Sequence, residues 1–399
     1  MANSDLNAAK KAKNDEFYTQ YADIEKEVNA YLDYAPDTFR GKTVLLPCDD
    51  PEWSKFTRFF AENFERLGLK KLISTSYAFA SKNLLDAKNT KGENGSASFA
   101  YSAAGKYWQP TLFESESPQY DAEKTAVRGK IFVLDRDTNG SGRIDLDDLQ
   151  WSYLDGDGDF RSDEVRALRD EADVIVTNPP FSLFRDFLAW IMEAGKKFLI
   201  IGSMNAIKYK DIFPFIKTGQ IWLGNGFQNG NAYFRPLTSG ADDYAEGVFD
   251  SETGLVKFRN CCWFTNLDHG RRHCPLQLLS LKDNRKYSRH REIREHGYLR
   301  YFNFNAIEVP FVDAIPCDFD GMMGVPISFL DKYCPEQFEL VGMSLDLADM
   351  TAVRRRLGKS DGGPVFYVEK DGHLVRLYDR LVIRRRTELG NPVHPVNPV

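Results

Sequence analysis

The stretch Asp173-Val-Ile-Val-Thr177-Asn178-Pro179-Pro180-Phe181 decides how the chain reads. A short uninterrupted apolar run with three β-branched residues describes a strand buried on both faces. The two prolines cannot extend a sheet ladder, and each restricts the residue before it, so the strand ends in a stiff, extended turn. In an open α/β sheet, ligands bind beyond the carboxyl ends of the strands. There the Asn178 amide oxygen and the Pro179 carbonyl are two rigidly held acceptors converging on one point, a shape suited to a planar amino group. Accepting both protons of such an amine favours the pyramidal form whose lone pair is localised for attack. If that amine is the exocyclic amine of a nucleobase, whose lone pair is delocalised into the ring, Phe181 is expected against the face of the base, a stacking contact worth about 1–3 kcal/mol.

Working outward, further strands and helices alternate. Thr43-Val-Leu-Leu-Pro47 is an apolar run ending in Cys48-Asp-Asp-Pro51; Trp53, Phe56, Phe59, Phe60 and Phe64 follow at helical spacing; Gly68 closes that helix; Lys71–Ser76 reads as the next strand. Ahead of them, Phe17, Tyr21, Ile24, Val28 and Tyr31 mark one apolar helical face. Beyond the double proline come a helix through Phe187 to Ala194 and a strand at Lys197–Gly202. This alternation predicts an α/β sheet with four parallel strands. The pattern lapses between Asn89 and about Gln150, which reads as an insertion, and after about 215 it turns to shorter strand-like pieces. Residues 1–13 are expected to fray, and the Pro-rich tail Gly390–Val399 to be extended.

The chain has 399 residues, room for two or three domains at roughly 150 each. Hydrophobic residues make up 42% and charged residues 28%, so disorder and fibrous repeats are excluded as descriptions of the whole. No apolar run is long enough for a membrane span and the start lacks a signal peptide's apolar middle, so a cytoplasmic location is the default. The six cysteines are sparse, which predicts free thiols. Lys plus Arg number 52 against 58 acids, a net charge of −6. That total does not announce a nucleic-acid partner, but the charges are segregated. Residues 282–300 hold seven Lys/Arg against three acids, a local net of +4, and Arg271-Arg272, Arg354–Arg356 and Arg384–Arg386 add three clusters. A basic second half is the electrostatic footprint of a duplex partner, with Arg271, Arg272, Arg285, Lys286, Arg289 and Arg291 the expected DNA contacts.

Asp15-Glu-Phe-Tyr-Thr19, Cys48-Asp-Asp-Pro51, Gly156-Asp-Gly-Asp-Phe-Arg-Ser162, Thr177-Asn-Pro-Pro-Phe-Ser-Leu-Phe184, Cys262-Trp-Phe-Thr-Asn-Leu267 and Gly324–Tyr333 occur in this order. Over about residues 14–345 this set resembles the EcoRI-type adenine-specific DNA methyltransferases. The resemblance implies a Rossmann-like class I methyltransferase sheet with an insertion, plus a mixed α+β target-recognition domain. It also implies S-adenosylmethionine as cofactor, cradled by Phe17, Tyr18 and Thr19 with Cys48, Asp49, Asp50 and Pro51. Asp159 and Phe160 map to the pair near the cofactor's adenine, and Asp157 lies in the same turn. Two departures stand out: the first turn lacks the usual glycines, and the second strand ends in Ser74-Thr75-Ser76 without the acid that usually holds the ribose.

Two other constellations compete for attention. Asp137–Asp148 matches a calcium loop, with oxygen side chains at positions 1, 3, 5, 9 and 12 and glycine at 6, but Asp at position 12 replaces the bidentate Glu; a solvated acidic turn is the preferred reading. Cys261, Cys262, His269, His273 and Cys274 lie close in sequence, but adjacent cysteines point to opposite faces of a strand and the paired spacing of a zinc site is missing.

The expectation is therefore a catalytic domain over about 14–268, with its insertion at about 89–150, and a target-recognition domain over about 270–399. Such an enzyme transfers the methyl of S-adenosylmethionine to N6 of an adenine extruded from duplex DNA, with Asn178, Pro179, Pro180 and Phe181 as the catalytic turn and no metal required. A monomer or weak dimer, paired with a cognate restriction endonuclease, fits that role. The alternatives are a protein glutamine methyltransferase, a cytosine amino-methyltransferase, and, from another class, a non-catalytic DNA-binding or calcium-responsive module.

Overall fold

The computed structural model describes residues 17–49, 54–78, 117–227, 231–236, 247–358 and 363–386. The expected frayed start, the Pro-rich tail, Trp53, Asp50, Pro51 and residues 89–116 lie outside them. Two compact units divide the chain: Met1–Ile212 with Leu223–Asp268, and Phe213–Trp222 with His269–Val399.

In chain order the first part gives β1 (Phe17–Thr19), α1 (Tyr21–Tyr34), β2 (Thr43–Pro47), α2 (Lys55–Glu62), β3 (Lys71–Ser76), β4 (Lys130–Leu134), β5 (Gln150–Tyr153), α3 (Asp163–Glu171), β6 (Val174–Thr177), α4 (Phe184–Glu193), β7 (Lys197–Ser203), β8 (Trp222–Leu223), β9 (Ala232–Pro236), β10 (Phe249–Asp250), β11 (Leu255–Phe258) and β12 (Cys261–Thr265). The larger sheet runs β5-β4-β3-β2-β6-β7-β12-β8, and β3, β2, β6 and β7 are mutually parallel. Their apolar runs are enclosed: Val44, Leu45, Leu46, Ile73, Ile175, Val176, Ile200 and Ile201 have no exposed surface. Against them pack Ile24, Val28 and Tyr31 from α1 and Phe56, Phe59 and Phe60 from α2, whose first turn is capped by the Ser54 hydroxyl accepting from the Phe56 amide. Gly68, in the left-handed region (φ 63°), ends the helical segment that follows α2. A smaller antiparallel sheet, β1-β9-β11-β10, completes this unit.

Two expectations need correction. Phe17 does not begin the helical face: it lies in β1, paired with Pro236, and the helix starts at Tyr21. The edge of β9 gives that backbone a ladder, which the three-to-four spacing of side chains does not register. The lapse between 89 and 150 also does not run to its end. Lys130–Leu134 and Gln150–Tyr153 add two antiparallel strands to the β3 edge of the large sheet. Ile131-Phe-Val-Leu134 is itself an unbroken apolar run that carries the strand signal, although near the edge only alternate residues of β4 are buried.

The second unit contributes α5 (Leu281–Tyr287), α6 (Arg291–His296), β13 (Ile307–Glu308), β14 (Met323–Pro326), β15 (Phe338–Met343), α7 (Met350–Leu357), β16 (Tyr367–Lys370), β17 (His373–Arg376) and β18 (Arg380–Arg385). Its sheet runs β13-β14-β18-β15, and β16 and β17 form a separate hairpin. The whole is a mixed α/β fold with several sheets. All six cysteines are free thiols, and among the described residues no helix is long and apolar enough to cross a membrane.

One polar group sits inside the first unit's core. Glu27, on the buried stripe of α1, accepts hydrogen bonds from Tyr31 Oη (2.9 Å) and from the backbone amides of Asn225 (2.7 Å) and Gly226 (2.9 Å). Gly224 leaves room for it: a Cβ there would come within 2.8 Å of Trp263 Cβ and meet the Glu27 carboxylate. Burial pushes the Glu27 carboxyl up to about 6 from its ordinary 4.5, against the pull of those donors. Because the folded form holds the proton more tightly, this stabilising contribution is full below about pH 4.5 and is lost as pH rises through 6. Between pH 4.5 and 7 the unfolding free energy of the wild type should therefore fall by about 2 kcal/mol relative to Glu27→Gln. Urea denaturation across that range checks this, and a difference that does not change with pH contradicts it.

Candidate active site

The carboxyl ends of the parallel strands bring the motifs together. Thr177, the last residue of β6, donates its hydroxyl to the carbonyl of Pro47, the last residue of β2, over 2.7 Å in a fully enclosed setting. The turn that follows β2 and the double-proline turn that follows β6 are thereby fixed side by side. Asn178 is half-buried with its Oδ1 enclosed, Pro179 is buried and Pro180 is half-exposed. The Pro180 carbonyl accepts the Leu183 amide at 2.9 Å, which starts the short helical turn leading into α4.

Phe181 is held edge-on between Phe234 and Phe258 of the smaller sheet, at centroid distances of 6.4 and 6.3 Å, and only 9% of its surface is exposed. It wedges the turn against the small sheet. Tyr18 and Thr19 lie in β1 on that same sheet, paired with Arg235 and Phe234. Phe17 adds its backbone to the ladder.

On the β2 side, Cys48 takes a left-handed backbone conformation (φ 68°) that non-glycine residues rarely adopt. Asp49 is buried; its Oδ1 accepts from the Ser54 hydroxyl at 2.6 Å, and its amide donates to the Thr75 carbonyl at 2.8 Å. Ser74 Oγ donates to the Asp49 carbonyl and accepts from Thr57 Oγ1 at 2.9 Å. The hydroxyls of Thr19 and Thr75 are also buried, and among the described residues neither finds a hydrogen-bond partner. Two orphaned hydroxyls near the strand ends are what a polar ligand with its own donors and acceptors would satisfy.

The Gly156–Phe160 turn closes on the end of β3. The Ala78 amide donates to the Asp157 carbonyl (2.8 Å), and Tyr77 hydrogen-bonds the Asp157 carboxylate. Burial first, and then the negative Asp157, push the Tyr77 hydroxyl well up. Burial works to raise the Asp159 carboxyl, but hydrogen bonds from the Arg161 guanidinium (2.6 and 2.9 Å) and amide hold it below the ordinary carboxylate range. Phe160 turns inward, edge-on to Phe187 (5.1 Å) and Trp190 (5.6 Å) of α4.

The expected DNA contacts lie in the second unit. Arg285, Lys286, Arg289 and Arg291 are exposed in or between α5 and α6. Arg289 pairs with Asp313 and Arg291 with Glu295, each at 2.7 Å. Arg271 is half-buried, and Arg272 lies 3.8 Å over the Trp222 ring.

In the loop 137–148 the carboxylates serve the loop's own backbone. Asp137 accepts from the amides of Gly140, Ser141 and Gly142, and Asp148 from those of Thr138, Asn139 and Asp145. Cys261 and Cys262 are buried in β12, and His273 bonds Glu336 at 2.7 Å. Among the described residues no group of three or more His, Cys, Asp or Glu side chains is placed to hold a metal ion.

The sequence does not single out Tyr77, Ser54 and Glu27, and it marks Thr75 only as part of a strand end that lacks the ribose-holding acid. Glu27 had a visible signal: it falls three residues after Ile24 and four before Tyr31, on the apolar face of a helix. The others are ordinary strand-end and cap residues, and only the strand order reveals what they meet.

The family model described as adenine-specific methyltransferase EcoRI matches residues 5–386. The type II methyltransferase M.EcoRI of Escherichia coli is 39% identical over 337 residues, covering 84% of this chain and 88% of the relative. M.MpnI of Mycoplasma pneumoniae is 32% identical, covering 84% of both chains, and M.MgeORF184P of Mycoplasma genitalium is 33% identical, covering 84% and 85%. No solved structure gives a significant match.

The two glycines of the 156–160 turn should respond differently to substitution. Gly158 has φ +85°, and a Cβ there would collide with the Ser76 carbonyl, whereas a Cβ on Gly156 meets only Glu164 Oε2 at 3.7 Å. Gly158→Ala should cost about 1–3 kcal/mol of stability and Gly156→Ala less than about 0.5 kcal/mol, measured by chemical denaturation. Equal losses would contradict the close approach of the turn to β3.

Proposed function

The chain belongs to the EcoRI family of adenine-specific methyltransferases, and on that premise we propose where and how it works. It is a DNA adenine methyltransferase. The four-strand parallel centre in the order β3-β2-β6-β7 supports a Rossmann-like reading of the first unit. Tyr18, Thr19, Cys48, Asp49, Asp157, Asp159 and the Phe17 backbone are the described groups assigned to S-adenosylmethionine; Asp50 and Pro51, assigned to it by the resemblance, lie outside the described residues. The orphaned hydroxyls of Thr19 and Thr75 suit its polar groups, and Thr75 and Ser76 stand where the ribose-holding acid is missing. When bound, the cofactor supplies an electrophilic methyl group on a positively charged sulfur.

The chain's own residues then do three things. Asn178 Oδ1 and the Pro179 carbonyl accept the two protons of the adenine amine and favour its pyramidal form. The prolines and the Thr177 bond to Pro47 hold the backbone of the turn rigid, and the enclosed Asn178 oxygen becomes available as its side chain turns toward the entering base. Phe181, packed edge-on against the small sheet, fixes the turn from behind and offers the base little ring face.

An adenine inside a duplex cannot reach a sheet edge, so the base must be extruded at a cost of a few kcal/mol. Arg285, Lys286, Arg289 and Arg291 support the reading of the second unit as the DNA-recognition part. The exposed ion pairs of Arg289 and Arg291 are worth little in water, so phosphates can replace their carboxylates readily.

The single observation that carries this reading is the buried bond tying the ends of β2 and β6, which sets the cofactor turn beside the amine-accepting turn. Asn178→Ala should lower methylation at least about 100-fold, as loss of a transition-state hydrogen bond does, and leave DNA affinity within a few-fold. Mass spectrometry of digested DNA, with a parallel binding titration, checks both. Undiminished N6-methyladenine in that variant would refute the assignment.

A further inference from the structure

A cavity of about 460 Å3 opens in the second unit, lined by residues 300–306 together with Leu347, Asp349 and Ala352. Its volume is in the range of small-ligand pockets, roughly 300–1,000 Å3. Nothing in the methyl-transfer chemistry uses it.

Its wall is built from stacked rings. Tyr301 lies on Phe366 at 4.3 Å and 28°, and Phe366 lies on Phe304 at 5.0 Å and 14°. Tyr301 and Phe366 are buried, whereas Phe304, the last ring of the stack, is half-buried and lines the cavity. Near-parallel rings ending at a cavity make a platform for one more planar group.

The platform is held firmly. The Tyr301 hydroxyl bonds Glu308, whose carboxylate makes a bidentate pair with Arg380 at 2.6–3.1 Å. Asn303, between the rings in sequence, is buried; its Nδ2 donates to the Val365 carbonyl and its Oδ1 accepts from the Tyr367 amide, both at 2.9 Å. Around the opening stand three exposed polar side chains, Arg300, Asn305 and Asp349, the last of which also caps α7 by accepting from the Thr351 amide at 2.8 Å. Flat aromatic surface with an amide, a carboxylate and a guanidinium around it is the chemistry that recognises a nucleobase, by stacking and by its hydrogen-bonding edge, with a cation for the adjoining phosphate.

We propose that this cavity receives an unstacked base of the bound DNA other than the adenine being methylated. Withdrawing one base from a duplex leaves its partner and neighbours without their full stacking, and a second platform offsets that loss. The inference rests on the reading of the second unit as a DNA-binding part.

The test uses the full-length enzyme and duplexes carrying its methylation site, found by sequencing modified DNA. Single abasic positions are scanned along both strands, and affinity is measured for the wild type, Phe304→Leu and Asn305→Ala. At one position other than the target adenine, base removal should weaken wild-type binding about tenfold, the low end of base–aromatic stacking, and weaken Phe304→Leu less than threefold. Asn305→Ala, an exposed change with little bearing on folding, should narrow the difference at the same position. In the wild type, 5-iodouracil placed there or at its flanks should photocrosslink within peptide 300–306.

If the enzyme binds DNA but no position couples to Phe304 or Asn305, and no crosslink maps to that peptide, the proposal fails while the DNA reading stands. If the wild type does not bind duplex DNA at all, the DNA reading itself fails. Saturable binding of a free nucleoside monophosphate that Phe304→Leu abolishes, without any coupled DNA position, would assign the cavity to a diffusible nucleotide and overturn the proposal.

Discussion

A single buried hydrogen bond, Thr177 Oγ1 to the Pro47 carbonyl at 2.7 Å, joins the ends of two adjacent parallel strands. Parallel neighbours deliver their carboxyl ends to the same edge of a sheet, and that edge is where the chain stops being able to pair with itself. β2 departs into a left-handed Cys48 and β6 into a double proline, so neither strand continues the ladder. The bond converts two independent turns into one rigid edge. Its hydroxyl is fully enclosed, so solvent does not compete for the donor, and breaking it leaves a buried polar group unsatisfied at a cost of about 1–3 kcal/mol.

Around that edge the chain spends several buried polar groups. Asp49, Ser54, Ser74 and Thr57 form a connected set of hydrogen bonds between the β2 turn, α2 and β3. Glu27 does similar work at the loop 224–227. Fully satisfied buried networks specify one arrangement, because any alternative leaves donors or acceptors stranded in apolar surroundings. The hydroxyls of Thr19 and Thr75 find no partner among the described residues, and they lie where the family's cofactor is expected.

The parts of the fold that could be read in the sequence share one physical property: burial on both faces. β2, β6 and β7 are continuous apolar runs because helices and the sheet enclose them completely, and the turns that end them are stiff by covalent geometry. β4 carries a four-residue apolar run of its own, Ile131–Leu134, but stands alone in polar surroundings, and only its pairing with β3 shows that it belongs to the large sheet. Phe17 has helical spacing to Tyr21, but the backbone there pairs with the β9 edge. Phe160 was legible as part of a motif but not in its packing: the ring points into Phe187 and Trp190 rather than outward. The basic stretch 282–300 is visible as charge, and the Arg291–Glu295 pair follows from its i,i+4 spacing on one helix. The Arg289–Asp313 pair is a tertiary contact, which composition and periodicity do not encode.

The central claim is that the cofactor lies at the joined ends of the strands, beside the amine-accepting turn. Ultraviolet crosslinking of labelled S-adenosylmethionine to the full-length enzyme, followed by peptide mapping, reads that position directly. Label on peptides carrying Tyr18–Thr19, Cys48–Asp49 or Asp157–Phe160 is the expected result. Label confined to peptides from residues 269–399 would contradict it.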